Sequence, residues 1–165
     1  MKTQTQIEYI YKQLGNYWPK YSNRKPAAKI HKEAYTSLIG VMLSAQSQDK
    51  RTAIACKQLF SLADTPEKMI KLTREQIIEA IRPAGLHNAK SKNILATSHK
   101  LLIEYDGKVP QTQKELMDLP GIGRKSSDIM MRFVWGAPNI AFDTHVFSCI
   151  LYTSDAADDV RGVVL

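Results

Sequence analysis

A short proline- and glycine-containing segment between two helical stretches constrains this chain more than any other part of it. The segment reads LPGIGRK at residues 119–125, and a capping-box pattern, TQKE at residues 112–115, precedes it. The proline ends the first helix, and glycines two residues apart allow positive φ and leave bare backbone near a ligand. The sequence therefore predicts a helix, a tight turn and a second helix that begins near Arg124, over about residues 111–135. Ile122 is expected to anchor the turn in the core.

The rest of the sequence also indicates helices. Helical spacing and cap patterns predict them over 5–14, 33–45, 49–60 and 89–105 and directly after Thr65 and Thr73, with a connection at 16–32. The stretch 33–45 is apolar on nearly all sides and is expected in the middle of the domain. The stretch 49–60 is expected to bury Ala53, Ile54, Cys56 and Leu59. No useful length alternates apolar and polar residues, so the predicted fold class is all-α.

The composition excludes several classes of protein. Lys and Arg number 23 against 16 Asp and Glu, for a formal net charge of +7, and 44% of the residues are hydrophobic. This mixture is too apolar for a disordered chain and too charged for a membrane protein, and we expect a soluble, cytoplasmic protein. The basic excess indicates either a polyanionic partner or simply a basic soluble protein. Cys56 and Cys149 belong to no Cys-x-x-Cys or Cys/His cluster, so we expect two free thiols and no metal site.

The glycine turn favours an anionic ligand. Backbone N–H groups at a helix N-terminus are unpaired donors at the positive end of the helix dipole, which suits a DNA phosphate. We interpret the segment as a helix-hairpin-helix, which holds the DNA backbone without reading sequence, against the alternative of an ordinary tight turn. Further along, Asp143 precedes an apolar pattern and by itself would be explained as a helix N-cap.

Four blocks of sequence, in order, resemble the endonuclease III group of helix-hairpin-helix DNA glycosylases. They read LIGVMLSAQSQD, GLHNAKSKNI, LPGIGRK and AFDTH, and the resemblance runs from about residue 37 to residue 147. It implies a multi-helix DNA glycosylase fold and a base-excision repair enzyme that acts on double-stranded DNA as a monomer at the nucleoid. That enzyme would remove oxidised pyrimidines and cut the strand at abasic sites by β-elimination, as a bifunctional DNA glycosylase and AP lyase.

The resemblance also implies a role for each site residue. Lys125 is the nucleophile that forms a Schiff base, and Asp143 is the carboxylate that stabilises an oxocarbenium-like state. Gln46 fills the space left by the flipped nucleotide, and Leu86 wedges into the opposite strand. Other matching positions are the DNA-binding hairpin residues Gly121, Ile122, Gly123 and Arg124 and the supporting residues Asp49 and His145. The basic residues Lys90, Lys92, Arg124 and Lys125 are expected to flank the DNA. The structural alternatives are a phosphate contact for Lys125, a surface glutamine for Gln46 and a buried turn leucine for Leu86.

Two neighbouring classes fit these residues less well. Adenine-mismatch glycosylases share the fold, but they usually lack the lysine after the hairpin and carry a glutamate where this chain has Gly40. The presence of Lys125 therefore disfavours a purine-specific enzyme. A non-catalytic helix-hairpin-helix DNA-binding fragment would need the hairpin but neither Lys125 nor Asp143.

The chain departs from the resemblance after residue 147. Endonuclease III relatives continue to a four-cysteine loop that holds a [4Fe–4S] cluster, whose cysteine ligands are absent here, so no cofactor is expected in this chain. The expected organisation is a glycosylase domain over 1–150 that lacks the iron–sulfur segment, followed by a non-native-looking, disordered tail over 151–165. A chain truncated in this way is expected to have low or no activity.

Overall fold

The central helix of the fold is almost entirely buried. In a computed structural model, the described residues are 33–142 together with 5, 6, 8, 9, 12 and 13. Within 33–142 the helices are α1 Ala34–Ser44, α2 Asp49–Leu62, α3 Pro66–Met69, α4 Arg74–Ile81, α5 His87–Glu104, α6 Gln113–Met117 and α7 Arg124–Val134, with a 3-10 turn at Arg82–Ala84. The six described residues near the N-terminus are also helical, and no strand occurs among the described residues, which confirms the all-α prediction there.

Helix α1 supplies the middle of the core because it has no polar face. Leu38, Ile39 and Leu43 have no exposed surface, and α1 packs against α2, α5 and α7. Each fully buried leucine or isoleucine contributes about 1.5–3 kcal/mol through removal of apolar surface from water. These contacts fix the end of α1 relative to the beginning of α5.

Three helices begin where the cap patterns predict. The Thr65 hydroxyl accepts from Lys68 N, with proline at the first helical position. Thr73 and Gln76 form a complete capping box, in which each side chain accepts from the other residue's backbone N–H. Thr112 accepts from the backbone N–H of Glu115, but the Glu115 carboxylate bonds the Thr112 hydroxyl instead of its backbone, so this box is only half formed.

The predicted buried face of α2 is wrong in part. Ala53 is exposed and Ile54 is 51% exposed, whereas Thr52, Ala55 and Leu59 are buried. Leu59 fixes the direction of the inner face, and helical spacing then brings 52 and 55 inward. Thr52 is tolerated there because its hydroxyl donates to Gln48 O at 3.2 Å.

Contacts divide the chain into two units, residues 28–141 and residues 1–27 with 142–165. The helices α1–α7 and their core belong to the first unit. The predicted connection at 16–32 and the predicted domain boundary at 150 lie outside the described residues. None of the helices in the described part of the chain is long and apolar enough to cross a membrane.

Candidate functional site

The turn between α6 and α7 has the geometry of the predicted hairpin. Helix α6 ends at Met117, two residues earlier than expected, and α7 begins at Arg124 as predicted. Ile122 is 6% exposed, and its N–H donates to Leu119 O at 3.1 Å. The turn is therefore anchored in the core by Ile122, as the sequence predicts, while the glycines on either side of it are exposed.

Helix α5 contacts this turn through Asn93 and Thr97. Thr97 Oγ1 donates to Pro120 O at 2.9 Å. Gly121 lies so close to Asn93 that an added Cβ would come within 2.7 Å of Asn93 Nδ2. The φ of Gly121 is +81°, which L-residues rarely adopt. Glycine is thus required at 121 both by conformation and by space.

Gly123 differs from Gly121, and one part of the prediction is wrong. Its φ is −99°, which any residue adopts, so no positive φ requires glycine at 123. An added Cβ at Gly123 would meet no atom within 4 Å. The absence of a side chain instead leaves the backbone at the start of α7 open to a ligand.

The first turn of α7 carries two exposed cations beside this open backbone. Arg124 and Lys125 are its first two residues, and both are exposed. The helix has no acidic residue in its first turn. A phosphate near Gly123 would meet the helix N-terminus and two positive side chains together.

Sequence reasoning missed a buried carboxylate one turn further along α7. Asp128 is 3% exposed and accepts hydrogen bonds from three parts of the chain. Its donors are Gln113 Nε2 in α6, Arg124 Nε at 3.2 Å, and Asn139 Nδ2 at 2.7 Å. Asp128 therefore joins both hairpin helices to the segment that leads toward Asp143. The i, i+4 spacing of Arg124 and Asp128 was the available signal.

The two residues expected to enter the DNA share an unusual backbone conformation. The described non-glycine residues with positive φ are Gln46 at 53°, Leu86 at 48° and Asp106 at 51°. The left-handed conformation costs about 1–2 kcal/mol for such residues, and aspartate in a turn tolerates it best of the three. Gln46 is exposed and Leu86 is 57% exposed, so the alternative of a buried turn leucine is wrong. Strain at exposed residues of this kind is typical of functional loops.

Lys90 is not a DNA-flanking residue, contrary to the prediction. It is 7% exposed, and its Nζ donates to Leu43 O at 2.8 Å and to Ala84 O at 3.2 Å. Burial lowers the pKa of Lys90, while the two carbonyl oxygens bind its ammonium group. Lys92 is exposed on the same helix and remains available to DNA.

The remaining predicted site residues are placed only in part. Asp49 is exposed at the first position of α2. Asp143, His145 and Cys149 lie outside the described residues, so the predicted pairing of Lys125 with Asp143 stays a prediction. In the described part of the chain, no three His, Cys, Asp or Glu side chains lie together as a metal site would require.

Comparison with known proteins agrees with the fold and the hairpin. Residues 39–156 match the family model of the HhH-GPD superfamily base excision DNA repair protein. Endonuclease III of Rickettsia felis is 41% identical over 130 residues, which cover 77% of this chain and 61% of that protein. The chain thus spans less than two thirds of the length of that curated relative.

Two solved structures have the same fold. A non-covalent endonuclease III–DNA complex superposes with a TM-score of 0.80 at 30% identity, covering 99% of this chain and 78% of that one. A trapped endonuclease III–DNA covalent intermediate gives a TM-score of 0.79 at 34% identity, covering 90% of this chain and 68% of that one. The predicted resemblance to endonuclease III is therefore confirmed, and the chain belongs to the HhH-GPD superfamily of base excision DNA repair proteins.

Proposed function

We propose that this protein is a base-excision repair enzyme that removes oxidised pyrimidines from double-stranded DNA and cleaves the resulting abasic site. The observation that carries the proposal is Lys125, an exposed amine two residues after the open backbone of Gly123, in the first turn of α7. A phosphate held at that backbone would bring the sugar of a neighbouring nucleotide close to the amine. Membership of a base-excision repair superfamily supports the same chemistry.

In the proposed reaction the neutral amine of Lys125 attacks C1′ of the damaged nucleotide. The glycosidic bond breaks, and its electron pair leaves with the base, which takes up a proton. Ring opening gives an imine between Lys125 and C1′, and loss of a C2′ proton then expels the 3′ phosphate by β-elimination.

Asp143 has the second role in this proposal. Departure of the base creates positive charge on the sugar, and a nearby carboxylate stabilises that charge. Asp143 lies outside the described residues, and its role is proposed from the resemblance of the AFDTH block to the family.

Access to the base requires the nucleotide to leave the helix stack. We assign Gln46 to the vacated space and Leu86 to the opposite strand, because both are exposed residues in strained loops. Gln46 can bond to base edges, whereas Leu86 separates bases without reading them. The hairpin residues Gly121, Ile122, Gly123 and Arg124 would then hold the backbone.

We also propose that the protein acts as a monomer at the nucleoid, where its substrate is found. We propose no iron–sulfur cluster held by these residues, because the 165 residues contain two cysteines and four thiolates hold such a cluster. The activity belongs to the whole protein, and the chain described spans 61% of the length of its Rickettsia felis relative.

Borohydride trapping on a duplex with one thymine glycol or abasic site tests the chemistry. Trapping accumulates the imine even when turnover is low, so the unsubstituted chain is expected to give a covalent adduct, and Lys125→Ala to give none. Lys125→Arg is the matched control, because it keeps the cation for phosphate binding but forms no imine under these conditions. It should bind the duplex and give no adduct.

Two results would contradict the proposal. An undiminished adduct in Lys125→Arg would assign the nucleophile to another amine. Duplex binding without any adduct from the unsubstituted chain would indicate a non-catalytic helix-hairpin-helix DNA-binding fragment.

A further inference from the structure

We propose that Lys90 is a positioning residue that ties together the two loops that carry Gln46 and Leu86, so that both side chains enter DNA as one unit. The inference rests on the proposed function, because it concerns how that function separates damaged from intact DNA. It also gives Lys90 a role that does not require contact with DNA.

The geometry joins one ammonium group to both loops. Lys90 Nζ donates to Leu43 O at 2.8 Å, three residues before Gln46, and to Ala84 O at 3.2 Å, two residues before Leu86. Leu43 lies in the last turn of α1, where the carbonyl groups have no partner within the helix. Ala84 ends the 3-10 turn that precedes α5. The Lys90 side chain therefore links the C-terminal end of α1 to the end of the 3-10 turn.

Burial of the Lys90 ammonium group carries a desolvation penalty. Lys90 is 7% exposed, so its ammonium has given up most of its water, and an apolar side chain would fill the same space without that penalty. The two carbonyl oxygens and the negative end of the α1 dipole compensate the charge. A lysine at this position is explained by the two acceptors it links.

The loops need such a link because each contains a residue in an unfavourable backbone conformation. Gln46 and Leu86 have φ of 53° and 48°, which persist only when surrounding contacts over-determine them. The hairpin between α6 and α7 is held separately, by Ile122, Asn93 and Thr97. Loss of the Lys90 bridge should therefore impair the two loops and spare the hairpin.

The test compares binding to a duplex that contains one tetrahydrofuran abasic analogue with binding to the same duplex undamaged. Lys90→Met keeps the length and apolar stem but removes the donors, and Lys90→Arg keeps donors. Lys90→Met is expected to reduce the preference for the abasic duplex about tenfold, a change of roughly 1.4 kcal/mol, while affinity for undamaged DNA changes less than about twofold. Lys90→Arg is expected to retain most of the preference. An unchanged preference in Lys90→Met would overturn the proposal.

A double-mutant cycle reports the coupling directly. Gln46→Ala and Leu86→Ala are expected to be non-additive in the unsubstituted protein and additive in Lys90→Met. Additive effects in the unsubstituted protein would refute the tether even if Lys90→Met failed to fold.

Hydrogen exchange separates this inference from the proposed function. If the unsubstituted protein shows no preference for the abasic duplex, the proposed function fails. The tether is then judged without DNA: Lys90→Met should accelerate amide exchange in residues 45–48 and in 85–88 together, but not in 119–123. Unchanged exchange in either loop would overturn it.

Discussion

Replacing Gly121 by alanine forces an L-residue to a φ of +81° and places a methyl group 2.7 Å from Asn93 Nδ2. Its other near neighbours are Asn93 Cβ at 3.0 Å and Cγ at 3.1 Å, so rotation of the amide end alone does not relieve the contact. The left-handed conformation costs about 1–2 kcal/mol and the overpacking about 1–3 kcal/mol. We expect Gly121→Ala to lose about 2–5 kcal/mol of unfolding free energy, which lowers the Tm by at least about 4 °C.

Gly123→Ala is the matched control, with the opposite expected result. Its φ of −99° suits alanine, and no atom lies within 4 Å of the added Cβ. The free energy of unfolding should change by less than about 1 kcal/mol, because reduced freedom of the unfolded chain offsets the poorer N-cap. The methyl group would instead stand where a phosphate approaches, and we expect at least tenfold weaker duplex binding, about 1.4 kcal/mol.

Thermal melting, monitored by circular dichroism, measures the change in stability. Fluorescence anisotropy with an undamaged duplex measures the change in DNA binding. Gly121→Asn should also melt below the unsubstituted protein, because asparagine relieves the positive-φ strain but keeps the close contact of its Cβ with Asn93. Full duplex affinity in Gly123→Ala would refute the assignment of this turn as the phosphate site. An unchanged Tm in Gly121→Ala would refute the steric argument.

Two further predictions concern a buried carboxylate and a partly buried thiol. Asp128→Asn places an amide among three donors, and we expect a loss of about 1–3 kcal/mol of unfolding free energy in chemical denaturation. Asp106→Asn, at an exposed turn residue, is the near-neutral control. Burial raises the pKa of the Cys56 thiol to about 11, so in a Cys149→Ser variant iodoacetamide should react slowly at pH 8 and faster as pH rises toward 11. The unfolded thiol ionises near pH 8.5, so the contribution of Cys56 to stability falls as the pH rises above that value. Labelling of Cys56 at pH 8 as fast as that of a model thiol would contradict its burial.

Local chemistry made much of this fold predictable from sequence. The cap at Thr65 and the capping box at Thr73 depend only on residues within one helical turn, and both are confirmed. The start of α7 at Arg124 follows from the glycines and the apolar spacing beyond them. Each of these features is decided by neighbours in the chain.

Features decided by tertiary contacts could not be predicted in the same way. Lys90 reads as a surface cation on a helix, and only the approach of the α1 and 3-10 carbonyl groups makes it a buried donor. Ile54 reads as a core residue, but the direction of α2 leaves it 51% exposed. Gly121 and Gly123 are the same residue type, and they differ in backbone conformation and in whether Asn93 lies close by.

Helix α5 carries Lys90, Asn93 and Thr97 on one side. A separation of three or four residues returns nearly to the same side of a helix, and the separation of seven residues between Leu86 and Asn93 corresponds to almost two full turns. The rise of 1.5 Å per residue then sets about 10 Å along the axis between the exposed leucine and the hairpin support. The helix fixes this separation, so one residue inserted between 90 and 93 would rotate Lys90 and Leu86 together by about 100° relative to the hairpin support.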